Sequence, residues 1–346
     1  MHNLDSFIKL LSEPKRVVIV PHINPDADAL GSSLAMAAVL KKKGHQVKVI
    51  SPTDYPQFLH WMKGNSEVMV YNQGNEAAGD KIIKDAELIF CLDFCSLNRT
   101  DKMEKSLRAA SAQKVLIDHH HGKEQFADFE NWDTTAAATC ELIYQLLVDI
   151  DERDLIDKNT AEALYAGVMT DTGSFRHPNT TRHVHQVVAE LIDLGADVAK
   201  VSKLVYDNNS LSRLRFMGFA LSERLEIMEQ YKTAYFAISA EDLKKFSSQT
   251  GDTEGLVNYA LSVKGVTMAA IIIEREDAVK LSFRSVGDFA VNELSAEHFE
   301  GGGHKNAAGG VSRVGMQETV DKFLKLLPQY EKQLQNNQKK QEIYLT

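Results

Sequence analysis

Histidine and aspartate residues follow an apolar run near the N-terminus in a spacing that suits metal chemistry. The run Arg16–Val20 leads directly into Pro-His-Ile-Asn-Pro-Asp-Ala-Asp, which places His22, Asp26 and Asp28 just beyond it. If the run is a strand, these side chains lie at its carboxyl end, where open α/β sheets place their ligand crevice. Imidazoles and carboxylates without thiolates favour a hard or borderline divalent cation over a structural zinc ion.

The same arrangement occurs twice more along the chain. The apolar run at 87–92 delivers Asp93, the run at 114–117 delivers Asp-His-His-His, and Asp171 follows an apolar helical pattern. A single aspartate after a strand is more often a helix cap or turn residue than a ligand. Four such positions together instead favour a two-metal site, in which ions about 3.5–4 Å apart would share one carboxylate and activate a water for attack on a phosphoryl group.

The elements that must position these residues follow from the hydrophobic pattern. Short runs rich in Val and Ile alternate with helical patterns such as 29–43, which is typical of buried strands in a parallel sheet. The predicted strands lie at 16–20, 46–50, 87–92 and 114–117. We therefore predict an α/β fold whose N-terminal part is a doubly wound parallel sheet.

A mainly helical stretch separates this part from a second strand-bearing region. Helices are predicted at 136–148, 160–169, 183–194 and 211–228, and strands at 234–238, 266–274 and 278–285. A glycine cluster at 301–310 follows; its second half, from Asn306, is interpreted as the start of a helix, and a terminal helix is expected from about Gln317. The predicted domains are a metal-binding catalytic domain at 1–193, a helical linker at 194–228 and a smaller α/β substrate-binding domain at 229–346, with a cleft between the two domains.

Composition limits the function classes. The chain has 346 residues, enough for about two domains, and 39 Lys and Arg against 48 Asp and Glu give a net charge of −9. An acidic surface repels polyanions, which argues against binding of long duplex nucleic acid. Three cysteines are too few for a disulfide framework, and no run approaches the roughly 18 apolar residues of a membrane span. A cytoplasmic protein with no membrane partner is expected.

In this order the motifs resemble those of the DHH phosphoesterase superfamily. His22-x3-Asp26-x-Asp28, Asp93, Asp118-His119-His120 and Asp171 are similar to its four N-terminal motifs. Gly301-Gly302-Gly303-His304 with Ala307-Ala308-Gly309 resembles the signature of its C-terminal DHHA1 domain. Size and motif order look like the NrnA-like branch of nanoRNases and pAp phosphatases.

The resemblance implies two Mn²⁺ ions per subunit, with other divalent metals as alternatives. One ion would be held by His22, Asp26 and Asp93, and the other by Asp28, Asp93, His119 and Asp171, so that Asp93 bridges them. The resemblance further implies that His120 contacts the phosphate. It also implies that Asp118 orients neighbouring groups without itself binding a metal ion. The catalytic set is thus Asp93, Asp118, His119 and His120.

Substrate contacts are expected mainly from the C-terminal domain. Glycines 302 and 303 can let main-chain N–H groups approach a phosphate closely, and His304 lies beside them. Arg284 ends a predicted strand and suits a bidentate phosphate contact, a role that the resemblance also implies. Arg99, shortly after Asp93, is a further candidate.

These features predict a metal-dependent hydrolase that cleaves short oligoribonucleotides, linear dinucleotides and 3′,5′-bisphosphonucleosides such as pAp through a water activated by two metals. The alternatives are an exopolyphosphatase or pyrophosphatase, or a cyclic-dinucleotide phosphodiesterase, of the same superfamily. A non-catalytic nucleotide-binding protein is disfavoured because every ligand position holds a competent ligand. The expected partner is a short nucleotide, and a homodimer is compatible with the resemblance.

Overall fold

The chain folds into two compact units, Met1–Asn208 and the part from Asn209 onward. The structure is a computed structural model that describes residue 1 and residues 3–72, 74–249 and 251–342. Within the described residues each unit contains one six-stranded sheet. The predicted α/β class, with a parallel sheet in the N-terminal part and a second, smaller α/β unit after it, is confirmed.

The first sheet is parallel throughout and has the order β3-β2-β1-β4-β5-β6. Its strands are β1 (Arg16–Val20), β2 (Gln46–Ser51), β3 (Met69–Val70), β4 (Leu88–Leu92), β5 (Gln113–Asp118) and β6 (Phe129–Trp132). The chain builds outward from β1 to β3 and then returns to place β4 on the other side of β1. The strand order therefore reverses between β1 and β4, and at such a switch point open α/β sheets place their ligands, beyond the carboxyl ends of the strands.

Helices cover both faces of this sheet. They are α1 (Leu4–Leu10), α2 (Ala27–Lys42), α3 (Glu76–Asp85), α4 (Glu104–Ala109), α5 (Thr139–Asp149), α6 (Lys158–Asp171), α7 (Arg182–Asp193) and α8 (Val198–Tyr206). Val17 and Ile19 join a core that includes α2 and α6, whereas Val18 and Val20 join a second core that includes α3 and α4. The strand is thus buried on both faces, which explains its uninterrupted apolar sequence.

Close packing of α2 against α6 depends on glycine. A Cβ atom added at Gly31 would lie 2.5 Å from the carbonyl oxygen of Ala163, and one added at Gly167 would lie 2.6 Å from Oδ1 of Asp28. Both distances are below van der Waals contact, so these two helices can approach only where side chains are absent. The approach encloses Asp28, which is fully buried.

The second sheet is mixed and has the order β11-β12-β10-β9-β8-β7. Only β8 and β9 pair in parallel among these strands; the other neighbours are antiparallel. The elements are α9 (Leu211–Glu223), β7 (Leu225–Met228), β8 (Thr233–Ile238), α10 (Ala240–Lys245), α11 (Leu256–Leu261), β9 (Met268–Glu274), β10 (Val279–Ser285), α12 (Val291–His298), β11 (Gly302–His304), β12 (Ala307–Ser312) and α13 (Met316–Glu342).

Two local predictions were wrong. The helix predicted at 211–228 ends at Glu223, and residues 225–228 form an edge strand that pairs with β8. The segment from Asn306 does not begin a helix; residues 307–312 form β12, which pairs with β10 and β11. Alanine and glycine are poor strand formers, so the two neighbouring strands override the local preference here.

The segment 194–228, predicted as a helical linker, holds α8 in the first unit and α9 and β7 in the second. Among the described residues, no helix combines the length and the apolar character needed to cross a bilayer.

Candidate metal centre and substrate-binding residues

The loop after β1 presents a buried histidine and a capping aspartate. Nδ1 of His22 lies 2.6 Å from the carbonyl oxygen of Ile23, which assigns the ring proton to Nδ1 and leaves Nε2 as a candidate metal donor. Oδ1 of Asp26 accepts the N–H groups of Asp28 and Ala29 at 3.0 Å and so caps α2. Its Oδ2 lies 4.0 Å from Nε2 of His22. Asp26 is therefore a helix cap through one oxygen and a candidate ligand through the other.

Asp93 lies between two imidazoles. It is buried at the end of β4, where its φ of 67° is a strained value for a residue other than glycine. Its Oδ2 lies 3.5 Å from Nε2 of His22, and its Oδ1 lies 3.5 Å from Nε2 of His119. A carboxylate whose two oxygens face the nitrogen atoms of two different imidazoles has the orientation required to bridge a pair of cations.

A second group of potential ligands surrounds His119. Its Nε2 lies 3.7 Å from Oδ2 of Asp28 and 3.3 Å from Oδ2 of Asp171, while its Nδ1 lies 3.2 Å from the carbonyl oxygen of Ala136. Asp171 is the last residue of α6, two residues beyond the helix end expected at Met169. The ligand atoms of Asp28, His119 and Asp171 all lie within 4.8 Å of one another, as do those of the group His22, Asp26 and Asp93.

Asp118 and His120 complete the strand-end cluster. Asp118 is fully buried at the end of β5, and its Oδ1 lies 2.7 Å from Nδ1 of His120. The same nitrogen lies 3.7 Å from Oδ1 of Asp93. The carboxylate therefore orients the imidazole and assigns its proton to Nδ1.

Burial, neighbouring charges and hydrogen bonds shift the pKa values of two carboxyl groups in opposite directions. Burial, followed by the charges of Asp93 and Asp171, raises the pKa of Asp28 well above its usual range. Burial also favours the neutral form of Asp93, but hydrogen bonding by His119 and His22 outweighs it and holds the pKa of Asp93 well below its usual range. Such a buried concentration of carboxylates is stabilised by cations, and the oxygen and imidazole donors fit hard or borderline divalent metals.

Two residues that the sequence did not single out contact this cluster. The N–H of Thr139, at the start of α5, donates to Oδ2 of Asp28 at 2.6 Å, and its hydroxyl donates to Oδ1 of Asp93 at 2.8 Å. The indole N–H of Trp132 donates to the main-chain carbonyl of His120 at 2.7 Å. In the sequence, Thr139 was marked only by its position near the start of an apolar helical pattern. Trp132 was marked only by its position after the His-His-His run.

Arg99 lies in the loop after β4, close to the first ligand group. Its carbonyl oxygen accepts the N–H of Ile23 at 2.8 Å, which ties this loop to the loop after β1. For the pKa of His22, burial favours the neutral ring and the charge of Arg99 acts in the same direction, but Asp93 and Asp26 outweigh both and raise the pKa. Arg99 is exposed, and its charge lies close enough to the candidate site to act on the pKa of His22.

The other predicted substrate residues lie in the second unit. His304 on β11 pairs with Ala307 on β12, which in turn pairs with Arg284 on β10. Directly opposed residues in antiparallel strands project from the same face, so Arg284 and His304 flank a small alanine. Gly302 lies two residues before His304 and therefore on that face as well.

Gly303 differs from Gly302 in its surroundings. Its φ is 139°, and a Cβ atom there would lie 2.5 Å from the carbonyl oxygen of Ala307. A Cβ atom added at Gly302 would meet nothing within 4 Å. Packing of the protein itself therefore requires glycine at 303 but not at 302.

Models of known protein families match both the N-terminal and the C-terminal part of the chain. The family model described as "DHH family, N-terminal domain" matches residues 16–168, and the model of the DHHA1 domain matches residues 230–333. The chain belongs to the DHH family. The predicted resemblance to DHH and DHHA1 proteins of the NrnA-like branch is confirmed.

The names of individual relatives of this DHH-family chain state different activities. It is 26% identical to the bifunctional oligoribonuclease and PAP phosphatase NrnA of Bacillus subtilis, over 87% of this chain and 91% of that protein. It is 29% identical to the cyclic-di-AMP phosphodiesterase GdpP of Geobacillus thermodenitrificans, over 93% of this chain but 48% of that protein. A solved structure of an exopolyphosphatase-related protein from Bacteroides fragilis has 38% identity and a TM-score of 0.90, with 96% and 97% of the two chains covered. These relatives support a DHH-family hydrolase of phosphoester bonds.

Proposed function

We propose that this DHH-family hydrolase cleaves short oligoribonucleotides, linear dinucleotides and 3′,5′-bisphosphonucleosides such as pAp. The observation that carries the proposal is the orientation of Asp93, whose two oxygens face His22 and His119 at 3.5 Å each. A carboxylate in that orientation, surrounded by further carboxylates, suits two-metal phosphoryl chemistry. The similarity to an oligoribonuclease and PAP phosphatase, over 87% of this chain and 91% of that protein, supports the choice of substrate class.

We propose that two divalent ions, with Mn²⁺ as the first candidate, bind at this cluster. His22, Asp26 and Asp93 would hold one ion, and Asp28, Asp93, His119 and Asp171 the other. When bound, such ions polarise a phosphoryl oxygen and lower the pKa of a water molecule. The tautomer assigned to His22 leaves Nε2 for coordination, and the buried Asp118 holds the Nδ1 proton of His120 so that its ring has a fixed orientation for a phosphate contact.

Both units contain candidate residues for phosphate contacts. Arg284 and His304 share one face of the second sheet, and Arg99 lies beside the candidate metal cluster. These residues would contact phosphate groups, while the net charge of −9 disfavours long polyanions. Guanidinium groups bind phosphate without reading a base, so selectivity by length and terminal phosphate is expected rather than by sequence.

The test is a side-by-side assay of pApA, pAp, cyclic di-AMP and pyrophosphate at equal concentration with Mn²⁺. Release of AMP from pApA and pAp, with little attack on the other two, supports the proposal. Faster hydrolysis of cyclic di-AMP would favour the cyclic-dinucleotide alternative, and faster hydrolysis of pyrophosphate would favour a pyrophosphatase. The variant Asp93→Asn distinguishes turnover at this cluster from contaminating activity, because it keeps the side-chain size but removes the bridging charge.

A further inference from the structure

We propose that Thr139 is a positioning residue that fixes the carboxylates of Asp28 and Asp93 relative to each other, and thereby sets the affinity of the metal pair. The inference rests on the metal-binding role proposed above. Thr139 is fully buried and is the first residue of α5. It lies 111 residues from Asp28 and 46 residues from Asp93 in the sequence, yet it contacts both.

Thr139 contacts the two carboxylates through different groups. Its main-chain N–H donates to Oδ2 of Asp28 at 2.6 Å, and its hydroxyl donates to Oδ1 of Asp93 at 2.8 Å. The N–H of Cys140 adds a bond of 2.8 Å to Oδ1 of Asp28. Both oxygens of Asp28 are therefore anchored at the start of a helix, where N–H groups lack partners within the helix. Hydrogen bonds to the charged form also offset part of the cost of burying these carboxylates.

The hydroxyl has a specific consequence for Asp93. Oδ1 of Asp93, which faces His119, is the atom that receives the Thr139 hydroxyl, whereas Oδ2 faces His22. A carboxylate fixed at one oxygen cannot rotate freely about its last torsion, so its second oxygen stays directed at His22. Without the hydroxyl, the plane of the carboxylate would no longer be fixed by Thr139, and the bridging orientation would be populated less often.

The side-chain chemistry of threonine allows a discriminating test. Thr139→Val keeps the size and the main-chain bond to Asp28 but removes the hydroxyl, and Thr139→Ser keeps the hydroxyl. Thr160→Val is a matched control, because Thr160 is a buried residue in the first turn of α6 whose hydroxyl bonds to Asp157, at the other end of that helix from Asp171. The readout is Mn²⁺ binding to metal-stripped protein by isothermal titration calorimetry, without substrate.

We expect Thr139→Val to weaken binding at one or both sites by about tenfold or more, the range typical of residues that orient metal ligands. Thr139→Ser and Thr160→Val should stay within about threefold of the unaltered protein. Equal affinity in Thr139→Val, or equal losses in the Val and Ser variants, would overturn the proposal. If Thr139→Val does not fold, the comparison of Thr139→Ala with Thr139→Ser isolates the hydroxyl instead. Failure of the unaltered protein to bind Mn²⁺ would overturn the proposed metal site itself, so the two failures are distinguishable.

Discussion

Oδ1 of Asp118 lies 2.7 Å from Nδ1 of His120, and the carboxylate is fully buried behind the imidazole. An asparagine at 118 could turn its amide N–H toward Nδ1 and so favour the ring protonated at Nε2. We expect Asp118→Asn to lower kcat/KM for pAp by about tenfold or more while Mn²⁺ affinity changes by less than about threefold. Steady-state kinetics with parallel metal titration checks this. A loss of metal that accounts for the whole loss of activity would show that Asp118 acts as a ligand instead.

The main chain of His120 is held by Trp132 on the edge strand β6. The Trp132 indole N–H donates to the His120 carbonyl at 2.7 Å, and Nζ of Lys123 lies 5.0 Å from the centre of the indole ring. Trp132→Phe removes the hydrogen bond and keeps an aromatic ring, so we expect a stability loss of about 1 kcal/mol and a severalfold lower kcat. Urea denaturation and kinetics measure the two effects.

Trp61→Phe is the matched control for Trp132→Phe. The indole nitrogen of Trp61 is buried and has no hydrogen-bond partner among the described residues. We expect Trp61→Phe to leave kcat unchanged because it removes no bond near the candidate site. If Trp132→Phe and Trp61→Phe have the same kcat, Trp132 has no role in positioning His120.

The neighbouring glycines 302 and 303 should respond differently to alanine. At Gly303, the φ of 139° and the carbonyl of Ala307 leave no room for a Cβ atom, so Gly303→Ala should lower the Tm by at least several degrees. Gly302 has open space, so Gly302→Ala should keep the Tm and raise the KM for pAp. Thermal unfolding and kinetics test both expectations. An unchanged KM in Gly302→Ala would remove the reason to place a substrate phosphate beside this residue.

Glu124 connects the loop after β4 to the loop after β5 through hydrogen bonds to its carboxylate. Its carboxylate accepts the hydroxyl of Ser96 at 2.7 Å and the N–H of Leu97 at 3.0 Å. The hydrogen bond from Arg108 is the main cause that lowers the pKa of Glu124 to about 2, with Ser96 and Leu97 acting in the same direction against burial. A depressed pKa in the folded state adds stability above the ordinary glutamate pKa of about 4.3, and that stability is lost as the pH falls toward 2.

Glu124→Gln tests this dependence. We expect the variant to have a lower Tm than the unaltered protein at pH 7, and the difference between the two to shrink as the pH falls from about 5 to 2. Differential scanning calorimetry across that range gives both values. A Tm difference that does not change with pH would mean that the charge of Glu124 adds nothing and that only the geometry of its hydrogen bonds matters.

The sequence was sufficient to predict the strand ends because burial on both faces leaves a continuous apolar run. Arg16–Val20 has such a run, and the parallel topology places the candidate ligands that follow it at one edge of the sheet. The alternative interpretation of Asp26 as a helix cap is confirmed, and the oxygen that does not cap the helix lies 4.0 Å from Nε2 of His22. Capping by one oxygen is thus compatible with the metal-binding role proposed for Asp26.

Other features were not predictable from local patterns. Residues 307–312 form a strand only because β10 and β11 pair with them, and pairing between distant segments has no local signature. The roles of Thr139 and Trp132 depend on single hydrogen-bonding atoms whose partners lie 46 and 12 residues away. Threonine and tryptophan are ordinary residues of helices and strands, so their types gave no indication of these contacts.

The most direct test of the metal-dependent phosphoesterase proposed here is a Mn²⁺ titration of metal-stripped protein while AMP release from pAp is followed. With Asp93 as the bridging ligand, we predict no turnover without metal and full activity only after about two equivalents per chain. Asp93→Asn should not reach measurable turnover at any Mn²⁺ concentration. AMP release at an undiminished rate from the metal-stripped protein, or from Asp93→Asn, would contradict the proposed function.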